Sequence, residues 1–371
     1  MKPLLSNRFL ISEAPRLVIK VGSSSLTAPD GSLNLDQLEY LVETVAQARE
    51  RGQSIVLVSS GAVAAGIAPL GMHRRPSDVR SQQAAAMVGQ TRLMAAYSQA
   101  FAAHGLTIGQ VLLTPDDVLD RRHYTNAQRS LKKLLHLGVV PIVNENDAVV
   151  TDELRFGDND RLAALVAHLV DATALVLCTD VDALYTLPPD RPGARRIAEV
   201  NSPQDLAGLT ITGKGSDVGT GGMRTKVEAA DIATSGGVAS LLVATEDLRE
   251  ALTGADLGTW FVPRRKRSSA RSLWLRYVAQ IRGTLTVDDG AATALRAGGA
   301  SLLAVGIRQV SGSFAAGDLV QIVDTAGGEV ARGLAAFSDG EVRQFITPRS
   351  DGAKAVRAPR PVVHADDLTQ R

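Results

Sequence analysis

Short apolar runs alternate with helix-period segments along most of the chain, and polar side chains follow several of these runs. The first run, Leu17 to Val21, is long enough for one buried strand and is followed by Gly22 and three serines. Ser54 to Ser60 is a second such run, and the segment between them, Leu35 to Glu50, carries apolar residues at helical spacing. A strand, a helix and a second strand, with a Gly/Ser turn after each strand, are typical of a parallel α/β sheet.

The same alternation continues to about residue 252 and then stops. It predicts helices over 79–103, 124–137, 162–170, 223–235 and 246–252, and strands over 107–113, 139–143, 174–179 and 238–243. Beyond a basic cluster at Pro263 to Arg267, the chain carries one helical segment, 290–297, and short β-like runs at 283–287, 301–305, 319–323 and 330–334. We therefore predict an α/β domain over 1–260, a basic linker over 261–276 and a small, mostly β domain over 277–371.

Composition narrows the class of protein. The 371 residues are 45% hydrophobic, which suffices for a sizeable core, and the net charge of +1 does not favour a protein built to sit on nucleic acid or anionic lipid. The single cysteine, Cys178, lies in an apolar run and excludes an intrachain disulfide, which fits a reducing cytoplasm. No apolar run approaches the roughly 18 to 20 residues of a membrane span.

Lys20 is the first candidate for chemistry because it interrupts the first apolar run. Buried strands rarely carry a lysine unless its charge has a partner. A lysine that leaves a strand end beside Gly22 and the serines Ser23 to Ser25 suits an anionic ligand. A lysine that reaches solvent from a strand edge explains the same pattern, so this stretch alone leaves both interpretations open.

A second candidate is the glycine-rich segment Gly219 to Lys226, which leads into a predicted helix. Its glycines expose amide donors, the helix N-terminus is partly positive, and Lys226 adds a full charge, so the segment resembles a phosphate loop. It does not match the Walker A pattern or the dinucleotide fingerprint. A solvent-exposed surface loop remains the alternative.

Asn, Asp and Glu residues are concentrated at Asn144–Asp147 and Asp158–Asp160, next to predicted strand and helix ends. Such side chains suit Mg²⁺, or a ligand that carries an ammonium group and a carboxylate, and two Asx turns explain them equally. The six histidines are dispersed and no His/Cys pair has zinc spacing, so we expect no zinc site. Ser59 and Ser60 lack the preceding glycine of a nucleophile elbow.

Taken together, five motifs resemble the glutamate 5-kinase family, a branch of the amino acid kinase superfamily. They occur in the expected order and cover essentially the whole chain: Leu17–Leu26, Val58–Gly66, Val143–Val149, Gly157–Asp160 and Gly219–Lys226. The segment from about residue 277 resembles the PUA domain that many bacterial members carry. The resemblance implies a mostly parallel sheet between helical layers, followed by a small PUA-like domain.

The resemblance also implies residue roles. Lys20 and Lys226 would grip the transferring phosphoryl group, and Asp160 would orient both lysines. Glutamate would be held by Ser60, Asp147 and Asn159. The nucleotide would contact Lys20, Gly22, Ser23, Thr179, Asp180, Thr220, Gly221, Gly222, Met223, Arg224, Thr225 and Lys226. No metal-ligating residue is assigned.

The implied reaction is ATP-dependent phosphorylation of the γ-carboxylate of glutamate, the first step of proline synthesis, with ATP as co-substrate and Mg²⁺. A carboxylate with a pKa near 4.3 is already ionised at pH 7, so no general base is expected. The family further implies feedback inhibition by proline, a homo-oligomer (a tetramer or a dimer) and a cytoplasmic enzyme. Two alternatives stay open: a sister kinase acting on acetylglutamate, aspartate or UMP, and an RNA-binding or RNA-modifying module. The nearly balanced charge of the segment 277–360 does not favour RNA binding.

Overall fold

A computed structural model describes residues 8–28, 32–115, 117, 121–149, 159–189, 191–207, 222–264, 281–346 and 357–370. The chain divides into two compact units, Met1–Ala270 and Arg271–Arg371, and the division falls inside the predicted linker 261–276. The start of that linker still pairs with the first unit, because the backbone N–H of Arg264 donates to the carbonyl of Thr234 at 2.9 Å. No helix among these residues is long and apolar enough to cross a membrane.

The first unit is built on a mostly parallel sheet. Its strands are β1 (Arg16–Val21), β2 (Ser54–Ser59), β3 (Ile108–Leu113), β4 (Val140–Glu145), β5 (Ala174–Thr179), β6 (Glu199–Val200), β7 (Ala239–Ala244) and β8 (Thr259–Phe261). Within the described residues the strand order is β3-β4-β2-β1-β5-β7-β8-β6, and only the β7–β8 pair is antiparallel. The predicted parallel α/β sheet is confirmed. The short strands β8 and β6, which extend the sheet beyond β7, were not predicted.

Helices connect and cover these strands. They are α1 (Phe9–Ser12), α2 (Ser23–Leu26), α3 (Leu35–Glu50), α4 (Ala62–Ile67), α5 (Val79–Ala102), α6 (Arg121–His136), α7 (Asn159–Leu169), α8 (Met223–Ser235) and α9 (Leu248–Ala251). The amphipathic pattern of α3 explains its position, since Leu38, Leu41 and Val45 are buried while Glu39 and Glu43 face solvent. Apart from Lys20, the residues from Leu17 to Val21 of β1 are all apolar, because both faces of a parallel sheet are covered.

Helices α4 and α5 approach each other unusually closely at two glycines. A Cβ added to Gly66 would lie 1.9 Å from the carbonyl oxygen of Ala85, and one added to Gly89 would lie 1.8 Å from that of Ala62. Only glycine fits this separation, because a side chain at either position would overlap backbone of the other helix. The contact fixes α5 against the turn that follows β2.

The second unit is a five-stranded sheet with two helices in its described residues. The strands are β9 (Ile281–Val287), β10 (Ile307–Gly312), β11 (Leu319–Val323), β12 (Glu329–Leu334) and β13 (Leu368–Gln370), and the helices are α10 (Asp289–Ala297) and α11 (Asp339–Ile346). The strand order is β10-β9-β11-β12-β13. This confirms the mostly β C-terminal domain.

The predicted strand over 301–305 is wrong. Leu302 is buried and forms one isolated bridge with Val363, but Leu303 and Val305 are exposed and the chain turns through a 3₁₀ segment before β10. An apolar run that buries only one of its residues has no face to place on a core. The hydrophobicity of this run was therefore not evidence for a strand.

Candidate active site

Four parallel strands end at one edge of the first sheet, and their polar residues meet there. β4, β2, β1 and β5 are neighbours in that order. Ser60 follows β2, Asn144 lies near the end of β4, and Thr179 ends β5. Because parallel strands present their carboxyl ends on the same side, this edge is where a ligand binds in open α/β sheets.

Lys20, Asp160 and Lys226 form a buried ion triad at this edge. Lys20 Nζ lies 2.5 Å from Asp160 Oδ1, and Lys226 Nζ lies 3.3 Å from Asp160 Oδ2. Asp160 is fully buried, and the two lysines are 3% and 7% exposed. Residues from β1, α7 and α8, about 206 positions apart in sequence at the extremes, are thereby brought into one contact.

The electrostatics of the triad favour an ionised carboxylate. Burial alone would raise the pKa of Asp160, but the charges of Lys20 and Lys226, together with hydrogen bonds from Lys20 and Thr225, lower its pKa below the ordinary value. Two cations share one anion, so the buried cluster carries one net positive charge. That excess suits an anionic ligand such as a phosphoryl group.

The start of α8 completes this side of the site. Thr225 Oγ1 lies 2.8 Å from Asp160 Oδ2 and accepts a hydrogen bond from the Gly222 N–H at 3.2 Å. Met223 begins α8, and Arg224 is largely exposed beside Glu228. Of the predicted nucleotide residues in this segment, Thr220 and Gly221 lie outside the described residues.

A second polar cluster of amide side chains lies toward β4. Asn159 Nδ2 donates to Ser60 Oγ at 2.9 Å and to Asn144 Oδ1 at 2.8 Å. Asn144 Nδ2 in turn donates to Gln90 Oε1 at 2.9 Å. Since Asn159 directly precedes Asp160, the amide cluster adjoins the ion triad, and predicted substrate residues stand beside predicted phosphoryl-binding residues.

The remaining predicted nucleotide residues lie at the end of β5, with Thr179 and Asp180, and at the start of α2, with Gly22 and Ser23. Thr179 Oγ1 donates to Asp180 Oδ1 at 3.0 Å, and the Thr179 carbonyl accepts from the Thr245 backbone N–H at 2.9 Å. Thr245 Oγ1 lies 2.9 Å from Ser25 Oγ, which ties this strand end to α2. Gly22 caps α2, and a Cβ there would lie 3.8 Å from Lys20 Nζ, so the turn with Ser23 adjoins the lysine.

The structure leaves two parts of the predicted site less defined. Asp147 is half-buried in the turn after β4, three residues beyond Asn144, and its contact with substrate stays a prediction. Within the described residues no group of three or more His, Cys, Asp and Glu side chains could hold a metal ion.

Sequence reasoning missed several residues that support the site. Gln90 lies in α5, far along the sequence from the strand ends, although its Oε1 lies 2.9 Å from Asn144 Nδ2. The hydroxyl of Tyr97 on the same helix lies 2.9 Å from Ser59 Oγ. The sequence feature that could have indicated them is a polar side chain on the buried face of α5, beside Ala86, Gly89 and Leu93. Thr245 was also missed, because it lies just after an ordinary apolar strand.

The model of the amino acid kinase family matches residues 15–245, which is more than half of the chain and contains the whole cluster at the sheet edge. The chain belongs to the amino acid kinase family. The PUA domain model matches residues 283–356 in the second unit. Both parts of the resemblance read from the sequence motifs are thereby confirmed.

Among its relatives is the glutamate 5-kinase of Streptomyces avermitilis, which is 51% identical over 363 residues, 96% of this chain and 97% of the relative. That of Salinispora arenicola is 52% identical and covers 96% of this chain and 98% of its own. The solved carbamate kinase from Giardia lamblia bound to AMP-PNP matches 68% of this chain and 100% of its own with a TM-score of 0.51. At 19% identity that structure supports the fold alone.

Proposed function

We propose that the protein transfers the γ-phosphoryl group of ATP to the γ-carboxylate of L-glutamate, the first step of proline biosynthesis. The observation that carries this proposal is the buried Lys20–Asp160–Lys226 triad beside the Ser60–Asn159–Asn144 amide cluster at one sheet edge. The first suits a phosphoryl group, and the second offers uncharged donors and acceptors for an amino acid. Two relatives that match 96% of this chain are named glutamate 5-kinase, and that name states the proposed activity.

The reaction needs charge compensation more than proton transfer. An oxygen of the ionised carboxylate forms a bond to the γ-phosphorus while the bond from that phosphorus to the bridging β,γ-oxygen breaks, which yields an acyl phosphate and ADP. No proton moves in this step. The obstacle is repulsion between anions, which Lys20 and Lys226 offset as charge spreads over the transferring oxygens.

Asp160 acts by holding the two lysines. Its oxygens contact one ammonium group each, so Lys20 from β1 and Lys226 from α8 are held beside the same carboxylate. Ser60, Asn159 and Asp147 hold glutamate, while the start of α8, Gly22, Ser23, Thr179 and Asp180 contact the nucleotide. Since an acyl phosphate is unstable in water, exclusion of solvent from the assembled site should favour productive turnover.

Magnesium is assigned to the substrate rather than to a protein site. The described residues offer no cluster of metal-ligating side chains. Mg²⁺ keeps several waters and binds readily to phosphate oxygens, so we propose that it enters bound to ATP.

The test is ADP release by the purified full-length protein with glutamate, and with aspartate, acetylglutamate and UMP as controls. Hydroxylamine traps an acyl phosphate as the hydroxamate, so the same assay identifies the product. We expect glutamate-dependent release and trapping. Activity on a control substrate in place of glutamate would assign a sister kinase, and no activity on any of them would contradict the proposal.

Regulation, assembly and location follow the same proposal. We expect inhibition by proline that glutamate competes away, a homo-oligomeric enzyme (a tetramer or a dimer) and a cytoplasmic location. Initial rates at several proline and glutamate concentrations test the first, and light scattering after size exclusion tests the second. Rates unaffected by proline, or a monomeric mass, would contradict the respective expectation.

A further inference from the structure

One backbone N–H determines which atoms donate and which accept in the hydrogen bonds of the amide cluster. The N–H of Glu145 donates to Asn144 Oδ1 at 2.9 Å. A backbone N–H can only donate, so the atom of Asn144 that faces it must be the oxygen. The nitrogen of Asn144 therefore faces Gln90, which must present its own oxygen, as observed at 2.9 Å.

The same constraint passes to Asn159 and Ser60. Asn144 Oδ1 faces Asn159 at 2.8 Å, so Asn159 must present its nitrogen, and that nitrogen also faces Ser60 Oγ at 2.9 Å. Ser60 Oγ accepts this hydrogen bond, which leaves its own proton to be donated elsewhere. Among the described residues no acceptor faces that proton. Ser60 thus presents a donor to whatever binds at the sheet edge.

Gln90 contributes to this arrangement without an evident gain in stability. Its side chain is about nine-tenths buried, and its Nε2 has no hydrogen-bond partner in the described part of the chain. A buried donor without a partner is unfavourable for folding. An apolar residue in α5 would remove this unpartnered donor, but it would take away the acceptor of the buried Asn144 Nδ2. The hydrogen bond to Asn144 therefore explains why an amide stands at position 90.

The position of the cluster indicates which end of the substrate it meets. β1, with Lys20, neighbours β2, and β2 neighbours β4. Neighbouring strands lie about 4.8 Å apart, so Ser60 stands about one strand away from the ion triad. A γ-carboxylate placed at the lysines would direct the amino-acid end of glutamate toward Ser60, and a hydroxyl donor there suits the α-carboxylate.

We propose that Gln90 is a positioning residue that acts through Asn144 and Asn159 to keep the Ser60 hydroxyl proton directed at the α-carboxylate of the substrate. The close α4–α5 contact at Gly89 holds Gln90 in place. This inference rests on the proposed function, and it adds a determinant of substrate selection that lies outside the sheet edge.

The test compares Gln90→Met with wild type and with Gln99→Met, an exposed position on the same helix. Methionine keeps the length of the side chain and removes its acceptor oxygen. We expect the glutamate KM of Gln90→Met to rise about tenfold to a hundredfold, the range for loss of one hydrogen bond to a charged group. The ATP KM and the kcat of Gln90→Met should stay within twofold of wild type. All three kinetic constants of Gln99→Met should do the same.

Two glutamate analogues distinguish a specific effect on the α-carboxylate from a general disturbance of the glutamate site. Glutarate lacks the α-amino group and keeps the second carboxylate, while 4-aminobutyrate lacks the α-carboxylate. As competitive inhibitors, glutarate should lose affinity in Gln90→Met by about the same factor as glutamate, and 4-aminobutyrate should not. In a Ser60→Ala background, Gln90→Met should add less than a twofold change.

Equal losses for both analogues, parallel rises in glutamate and ATP KM, or full additivity with Ser60→Ala would each overturn the proposal. Gln90→Leu repeats the test with a second apolar shape, and failure of both variants to fold would make Gln90 a structural residue and likewise overturn it. A wild-type enzyme inactive on glutamate would instead refute the proposed function. An active wild type with an unaltered Gln90→Met refutes this inference alone.

Discussion

Replacing Asp160 by asparagine isolates the counter-ion of the triad, because the two side chains have nearly the same size. The carboxylate is fully buried and compensates Lys20 at 2.5 Å and Lys226 at 3.3 Å. Removing one partner of a buried ion pair costs about 3–5 kcal/mol because the remaining charge is left uncompensated. In a unit of this size each kcal/mol lowers Tm by about 2–4 °C, so we expect a loss of roughly 6–20 °C.

Calorimetry and urea titration followed by circular dichroism measure this loss. Glu39→Gln removes an exposed carboxylate from α3 and should stay within about 0.5 kcal/mol of wild type. Saturating ATP should reduce the difference in Tm between Asp160→Asn and wild type, since the triphosphate supplies the missing negative charge. An Asp160→Asn protein as stable as wild type without nucleotide would refute the counter-ion role.

The pH dependence of that difference has a defined sign. The pKa of Asp160 is lowered on folding, because the two lysines outweigh the opposing effect of burial. Its contribution to stability is therefore fully present above the unfolded value, about 3.9, and is lost as pH falls through the folded pKa. The difference in the free energy of unfolding between wild type and Asp160→Asn should be constant from pH 8 to 5 and should become smaller below about pH 4.

Three further predictions concern the roles of the site residues and the contact between α4 and α5. Lys20→Ala should lower kcat about a hundredfold or more with little change in glutamate KM, as steady-state kinetics will show; a raised KM with intact kcat would make Lys20 a substrate clamp instead. Asp147→Ala and Asn159→Ala should raise glutamate KM and leave ATP binding, measured by calorimetric titration, nearly intact, and equal losses for both ligands would contradict this division. Gly89→Ala should cost about 1–3 kcal/mol in urea unfolding because its Cβ would overlap the backbone of α4, whereas Gly340→Ala, with nothing within 4 Å, should be neutral.

Local pattern was sufficient for most of the first unit. The run from Leu17 to Val21 and the helical spacing of Leu35 to Glu50 predicted β1 and α3, because burial on a sheet or a helix imposes a period that the sequence has to carry. The short strand Thr259–Phe261 was missed since three residues carry no period. The predicted strand 301–305 failed because only Leu302 is buried, and hydrophobicity alone does not say which residues face a core.

The sequence by itself placed polar residues at the strand ends, since glycine turns and polar residues after apolar runs are local features. The family resemblance then singled out Lys20, Ser60, Asn159, Asp160 and Lys226 among them as predicted site residues. Tertiary structure decided the distances that turn those residues into a site. The contact of Asp160 with both lysines depends on how β1, α7 and α8 pack. The Glu145 N–H sets the direction of the hydrogen bonds in the amide cluster, and Gln90 of α5 adds an acceptor for Asn144. No local pattern contains the relation of α5 to β4. Hydrogen bonds between distant segments are decided by packing, and packing is a property of the whole fold.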